Sequence, residues 1–173
     1  MVIKIKPFLW AAIVFILLIG IGIGVWIYLR PTDENLIWER FRKLTELASK
    51  NTKEGALPAA ARAREIAFLF SEKSTFSVDG LDWMAGPFTR ERLSGNIFRS
   101  RASFSTLKLL LDDLELNLDS DKRTAKVFLS ASLSGRLKDG RTIREVRELE
   151  SNLVKTDEGW LFDNFKVREI IKK

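Results

Sequence analysis

The feature that most constrains this chain is a stretch of 23 residues without a charge, from Pro7 to Leu29. At about 1.5 Å per residue, a helix of that length crosses the roughly 30 Å hydrocarbon layer of a bilayer with some tilt. Phe8 and Trp10 stand near one end and Trp26 and Tyr28 near the other, and such rings favour the headgroup level. A cut at Gly20-Ile21-Gly22 or Gly22-Ile23-Gly24 would leave an apolar stub carrying Trp26 and Tyr28, unlike the end of a cleaved signal peptide. An uncleaved transmembrane helix is therefore predicted over about residues 7–29, with residues 1–30 as tail and anchor and residues 31–173 as one globular domain. The short tail carries Lys4 and Lys6 and no acid. Raw Lys/Arg counts on the two flanks are nearly balanced, but a short basic tail ahead of a first apolar helix usually stays in the cytoplasm. The expected placement is the cell membrane, single-pass, N-in and C-out, with the C-terminal domain extracytoplasmic. Gly20 and Gly24 are spaced one turn apart. They read either as a packing face for a second helix or as the glycine that such helices commonly contain.

The anchor also accounts for much of the charge. The formal net charge is +6, and residues 1–30 contribute Lys4, Lys6 and Arg30 with no acid, leaving 26 basic and 23 acidic side chains over the other 143 residues. No run of five or six like charges is present to hold a polyanion, so no nucleic-acid partner is expected. The chain has neither cysteine nor histidine. This removes disulfides, thiolate metal sites, the commonest metal ligand and the commonest general base. No metal and no cofactor is expected.

Past the anchor, Pro31 breaks the helix, and Asp33 and Glu34 suit the positive end of a new one. Leu36, Ile37, Phe41, Leu44, Leu47 and Ala48 then recur at helical spacing. A second helix is predicted from Pro58 to Phe70, a short strand over Ser74–Asp79, a loop from Gly80 to Pro87, and a third helix capped by Thr89 and ending near Ser103. Four long strands follow: Thr106–Asp119, Ala125–Leu137, Arg141–Lys155 and Trp160–Ile171. Lys138-Asp139-Gly140 signals a tight hairpin, read as a type I′ turn. Leu107, Leu109 and Leu111 are odd-numbered, whereas Leu114, Leu116 and Leu118 are even. A β-bulge at Asp112-Asp113 would restore one apolar face; burial of both faces, with Leu110 in support, is the alternative. The fold class is α+β: an N-terminal transmembrane helix, then three helices packed on a strongly bent, mainly antiparallel sheet.

This order of elements, with the stretches Ala67-Phe68-Leu69-Phe70-Ser71-Glu72-Lys73-Ser74-Thr75-Phe76-Ser77-Val78-Asp79 and Gly159-Trp160-Leu161-Phe162-Asp163-Asn164-Phe165-Lys166-Val167, resembles the nuclear transport factor 2-like superfamily over about residues 33–171. That superfamily includes ketosteroid isomerases and scytalone dehydratases. The resemblance implies a cone-shaped domain with an apolar interior and often a dimer through the open sheet face. The membrane-tethered layout is also similar to that of inner-membrane components of type IV secretion systems.

In isomerase members of that superfamily a carboxylate near the first strand acts as a base, and Asp79 falls in the matching region. An oxyanion donor such as a tyrosine would also be needed, and the only tyrosine is Tyr28, inside the apolar run. Asp79 beside Gly80 reads equally as a turn residue. Asp79, Trp83, Phe128 and Trp160 are the pocket candidates. Arg90, Arg92, Arg99 and Arg101 are candidates for an acidic partner or anionic lipid, or for a solvated face. The leading expectation is a membrane-tethered, non-enzymatic domain that docks a protein partner or a second copy. A carrier of a small hydrophobic molecule comes second, and an isomerase or dehydratase using Asp79 third.

Overall fold

The computed structural model describes residues 15, 18–20, 31–51, 54–78 and 86–168. The chain divides into two units, Met1–Thr32 and Asp33–Lys173. In the first, Phe15 and residues 18–20 are helical, and Phe15, Leu18 and Ile19 are exposed. Among the described residues no helix is long and apolar enough to cross a membrane. Most of the apolar run, Gly24 included, lies outside them.

The second unit holds helices α1 (Asp33–Ala48), α2 (Ala56–Ala67) and α3 (Arg90–Ala102). Its strands are β1 (Phe70–Val78), β2 (Gly86–Thr89), β3 (Phe104–Leu118), β4 (Thr124–Leu137), β5 (Thr142–Thr156) and β6 (Gly159–Arg168). α1 carries Asp33 and Glu34 in its first turn and buries Ile37, Phe41 and Leu44, one stripe at helical spacing. Pro58 sits in the first turn of α2 rather than at its start, where its missing N–H leaves no bond unmade. Thr89 caps α3, its hydroxyl accepting from the Arg92 N–H.

The sheet order is β2-β1-β6-β5-β4-β3. The four-stranded meander is present as expected, and the sheet is larger at the other side. β1 starts at Phe70, four residues earlier than predicted, and runs parallel to β6, with Phe70 opposite Phe162 and Phe76 opposite Phe165. Phe70 lies at helical spacing from Ile66, but cross-strand burial beside Phe162 outweighs that local preference. The end of the predicted loop, Gly86 and Pro87, begins β2, which continues through Phe88 and Thr89 and pairs with Lys73–Phe76 of β1. Pro87 is tolerated there because β2 is an edge strand.

The parity change in β3 is a bulge. Asp112 pairs with Ser130 and Glu115 with Phe128, leaving Asp113 and Leu114 opposite Leu129, and Asp113 has φ 53. Leu110 is 43% exposed, which excludes burial of both faces. At the β4–β5 turn only Gly140 has positive φ, at 93. The connection is thus a three-residue turn closed by one left-handed glycine, not type I′. The core lies on the helix-covered face of the sheet, where Ile37 and Phe41 join Val127, Leu129, Leu153, Trp160, Phe162 and Phe165.

Candidate functional site

The rings that could have lined a cavity pack against one another. Phe162 is 4.9 Å from Phe41, 5.2 Å from Phe70 and 5.2 Å from Phe165 between centroids. Phe76 continues the cluster to Phe88. Such tilted and edge-on pairs fill volume and add ring electrostatics to burial. Trp160 is 1% exposed. Its Nε1 donates to Asp33 Oδ1 at 3.0 Å, and Lys155 Nζ donates to the same oxygen at 2.6 Å. Those hydrogen bonds, Lys155 first, hold the Asp33 carboxyl below its ordinary pKa and tie the start of α1 to the sheet. Trp160 is therefore a core residue. Phe128 lies on the opposite, open face of β4, under the Lys126 ammonium at 5.3 Å. Asp79 and Trp83 lie outside the described residues, so the four pocket candidates form no common pocket among those described.

The four arginines also divide. Arg101 is 3% exposed. One terminal nitrogen donates to the Leu47 carbonyl at 2.7 Å and to that of Ala48, and the other to Glu54 at 2.9 Å and 3.2 Å. It caps the carbonyl end of α1, which has no basic residue in its own last turn. Lys50 reinforces the joint by donating to the carbonyls of Arg101 and Phe104. Arg90 donates to the Phe70 carbonyl and pairs with Glu158 at 2.8 Å. Arg92 lies over Phe88, and Arg99 bonds Asn96 and Gly95 within its own helix. Arg101 is thus internal, and the expected four-arginine surface does not exist. The spacing of residues 90–101 gave no sign of this, because Arg101 finds its partners about 50 residues earlier in the chain. Gly20 is helical, with nothing within 4 Å of the space a side chain would take.

The accessible apolar site lies elsewhere, between α1 and the outer edge of β3. It is a groove of about 560 Å³ with Trp38, Phe41, Leu109, Leu110, Leu111 and Leu114 as its apolar lining, joined by Arg42, Glu46 and Lys108. The bulge keeps Leu111 and Leu114 on one side. β3 is the last strand of the sheet. Its outer edge bonds to Lys50 at Leu107, and Ser49 Oγ accepts from the Leu109 N–H. Trp38 lies off the predicted apolar stripe of α1, and this is why the sequence did not reveal the groove. Among the described residues no group of three acidic side chains could hold a metal ion.

No protein-family profile matches the chain, and no curated protein matches its sequence. Solved structures do resemble it. A protein from Novosphingobium aromaticivorans provisionally assigned as an aromatic ring hydroxylase aligns at TM-score 0.65 and 15% identity, covering 81% of this chain and 90% of its own. An NTF2-like protein with a cystatin-like fold from the same organism aligns at TM-score 0.60 and 15% identity, covering 82% and 84%. A provisionally assigned scytalone dehydratase, also from N. aromaticivorans, aligns at TM-score 0.57 and 16% identity, covering 78% and 79%. At these identities the likeness carries the fold alone. The Asp33–Lys173 unit has the NTF2-like cone fold.

Proposed function

We propose that this protein is a membrane-tethered, non-catalytic binding domain that docks an apolar, extended segment of a protein partner in the α1/β3 groove. The observation that carries the reading is the contrast between a ring-filled interior and an apolar groove beside an edge strand. An extended segment laid there would gain main-chain hydrogen bonds from β3 and place alternate side chains against Trp38, Leu111 and Leu114. The lack of histidine and of any tyrosine other than Tyr28 weighs against acid–base chemistry on Asp79. The tether is the uncharged run at residues 7–29, oriented N-in and C-out. A second reading, a small hydrophobic ligand in the same groove, is favoured by its volume, which falls in the ~300–1,000 Å³ range of small-molecule sites.

The test is photo-crosslinking of the full-length protein in its own membrane, with a photoreactive residue replacing Trp38. A discrete protein adduct that disappears when Leu114→Glu is added, at unchanged circular dichroism, is the expected result. An adduct of small mass would favour the second reading, and an adduct indifferent to Leu114→Glu would overturn both.

A further inference from the structure

The groove beside α1 does not end at Ser49. A second pocket, of about 480 Å³, adjoins it at the start of β3, and the two share Ser49 and Lys108. Their chemistry differs. In the first, apolar side chains dominate, and Arg42 and Glu46, one turn apart on α1, carry opposite charges. The second is lined by Lys50, Lys108 and Arg136, with Asn51, Ser134 and Thr142 among its uncharged polar groups, and by no acid. Together they form a trough along β3 that is apolar toward Leu114 and basic toward Thr106. Leu109 and Leu111 pack on the core, whereas Lys108 and Leu110 are exposed, and all four line the first pocket. The trough therefore straddles the strand edge itself.

The basic end lacks a counter-charge. Among the described residues, Lys50, Lys108 and Arg136 form no ion pair. Glu54, close by in the chain, is taken up by Arg101 and Arg62. Lys50 is 8% exposed, and its ammonium donates to the carbonyls of Arg101 at 3.2 Å and Phe104 at 2.7 Å. An ammonium has three protons to donate, so one remains. A buried cation held only by neutral oxygens keeps its charge uncompensated, and an anion entering the pocket would offset it. The backbone of Lys50 also closes the pairing track, because it exchanges both hydrogen bonds with Leu107. The next groups facing that edge, by the two-residue repeat of the ladder, belong to Leu109 and Leu111. The Leu109 N–H is already given to Ser49 Oγ. An extended segment laid along the edge from Leu114 thus reaches its limit beside Ser49, where the basic pocket begins.

We infer that the groove receives the C-terminal end of an extended apolar segment of a protein partner, running antiparallel to β3, with a carboxylate in the pocket of Lys50, Lys108 and Arg136. Charge decides the direction. A segment laid parallel to β3 would bring its amino end against three cations, whereas an antiparallel one brings its carboxyl end. The carboxylate is the chain terminus or an acidic side chain in the last position. This inference rests on the groove as a strand-binding site and adds to it the direction of the bound chain and the chemistry of its end.

The test selects from a random peptide library displayed with free C-termini on the full-length protein in detergent. Selected peptides are then labelled with fluorescein and their binding followed by anisotropy. The expected sequences alternate apolar residues ahead of a carboxylate at the C-terminal end. Leu114→Glu should abolish their binding, and Lys108→Glu with Arg136→Glu should weaken it about tenfold or more. Lys108 and Arg136 are both exposed, so circular dichroism should not change in the double variant. Amidating the peptide's C-terminus separates the two sources: lost binding assigns the pocket to the chain terminus, and retained binding that needs a last Asp or Glu assigns it to the side chain. Peptides that need Leu114 but ignore the double reversal, or that bind with no carboxylate at that end, overturn this inference and leave the groove reading standing. Selection of none, or only of peptides indifferent to Leu114→Glu, overturns both. So does binding of dihexanoyl-phosphatidylglycerol alone, with dependence on Leu114 and Lys108, since the trough would then be a lipid site.

Discussion

On one side of β4 and β5, Val127, Leu129 and Leu153 are buried beneath α1 with Trp160 and Phe162. On the other side of the same strands, Phe128, the serines 130, 132 and 134, Val146 and Glu148 are half-buried or exposed. The backbone and ladder are shared, and only the parity of the residue number differs. The covered face is specified by volume and tolerates little change, because packed rings leave no space to relax. The open face is half-buried or exposed, and substitutions there should cost folding far less.

Phe162→Ala should show the largest effect. Removing a fully buried ring that touches three others should lower unfolding free energy by about 3–5 kcal/mol, whereas Phe128→Ala on the open face should lower it by under about 1 kcal/mol. Urea melts of the two variants side by side check this, and equal losses would break the comparison. Arg101→Met comes next. Removing the guanidinium strands Glu54 and the α1 carbonyls, and a broken buried pair costs about 3–5 kcal/mol, here toward the low end because Arg62 also reaches Glu54 at 3.3 Å. The matching change on the outside, Arg99→Met, should be close to neutral in the same melt.

Gly135→Ala should cost about 1–3 kcal/mol. A Cβ there would lie 2.6 Å from the Thr106 carbonyl oxygen and 3.0 Å from the Phe104 ring, so strand β3 would have to move. Its thermal midpoint, compared with that of Ser134→Ala one residue away on the open face, measures how sharply tolerance changes with parity.

The smallest effect concerns pH. The Glu150 carboxyl is held below its ordinary value of 4.5 chiefly by the Lys126 hydrogen bond, and Asp33 below 3.8 by Lys155. A carboxyl whose pKa is lower in the folded than in the unfolded chain contributes stability that is fully present above the unfolded value. That stability is lost as pH falls through the folded one. Stability should therefore begin to fall below about pH 4.5, and Glu150→Gln should flatten the first part of that fall at a loss of about 1 kcal/mol or less at pH 7. Acid titrations of the two proteins followed by circular dichroism check it.

Local pattern made much of this legible. Alternation in Ala125–Leu133, the parity break at Asp112-Asp113, Thr89 as a cap and Asp139-Gly140 as a turn are all short-range signals, and the structure keeps each in place. The bulge in particular follows from residue numbers alone, since only an extra residue can return Leu114, Leu116 and Leu118 to the face of Leu107, Leu109 and Leu111. β1 was legible only in part. Phe70 fits a helix by spacing and a strand by partner, and its partner lies 92 positions along the chain.

The sequence by itself therefore determined the apolar N-terminal run, the charge balance, the lack of histidine and cysteine, and a helix-rich half followed by a meander. Tertiary structure alone decided that β1 runs parallel to β6, that Trp160 is filled in while a groove opens beside Trp38, and that Arg101 is internal while Arg99 is not. It also decided that Lys50, Lys108 and Arg136 line one pocket at the end of that groove. The physical reason is range. Caps, turns and alternation act over a few residues, whereas burial and cross-strand register join side chains that lie tens of positions apart until the sheet brings them level.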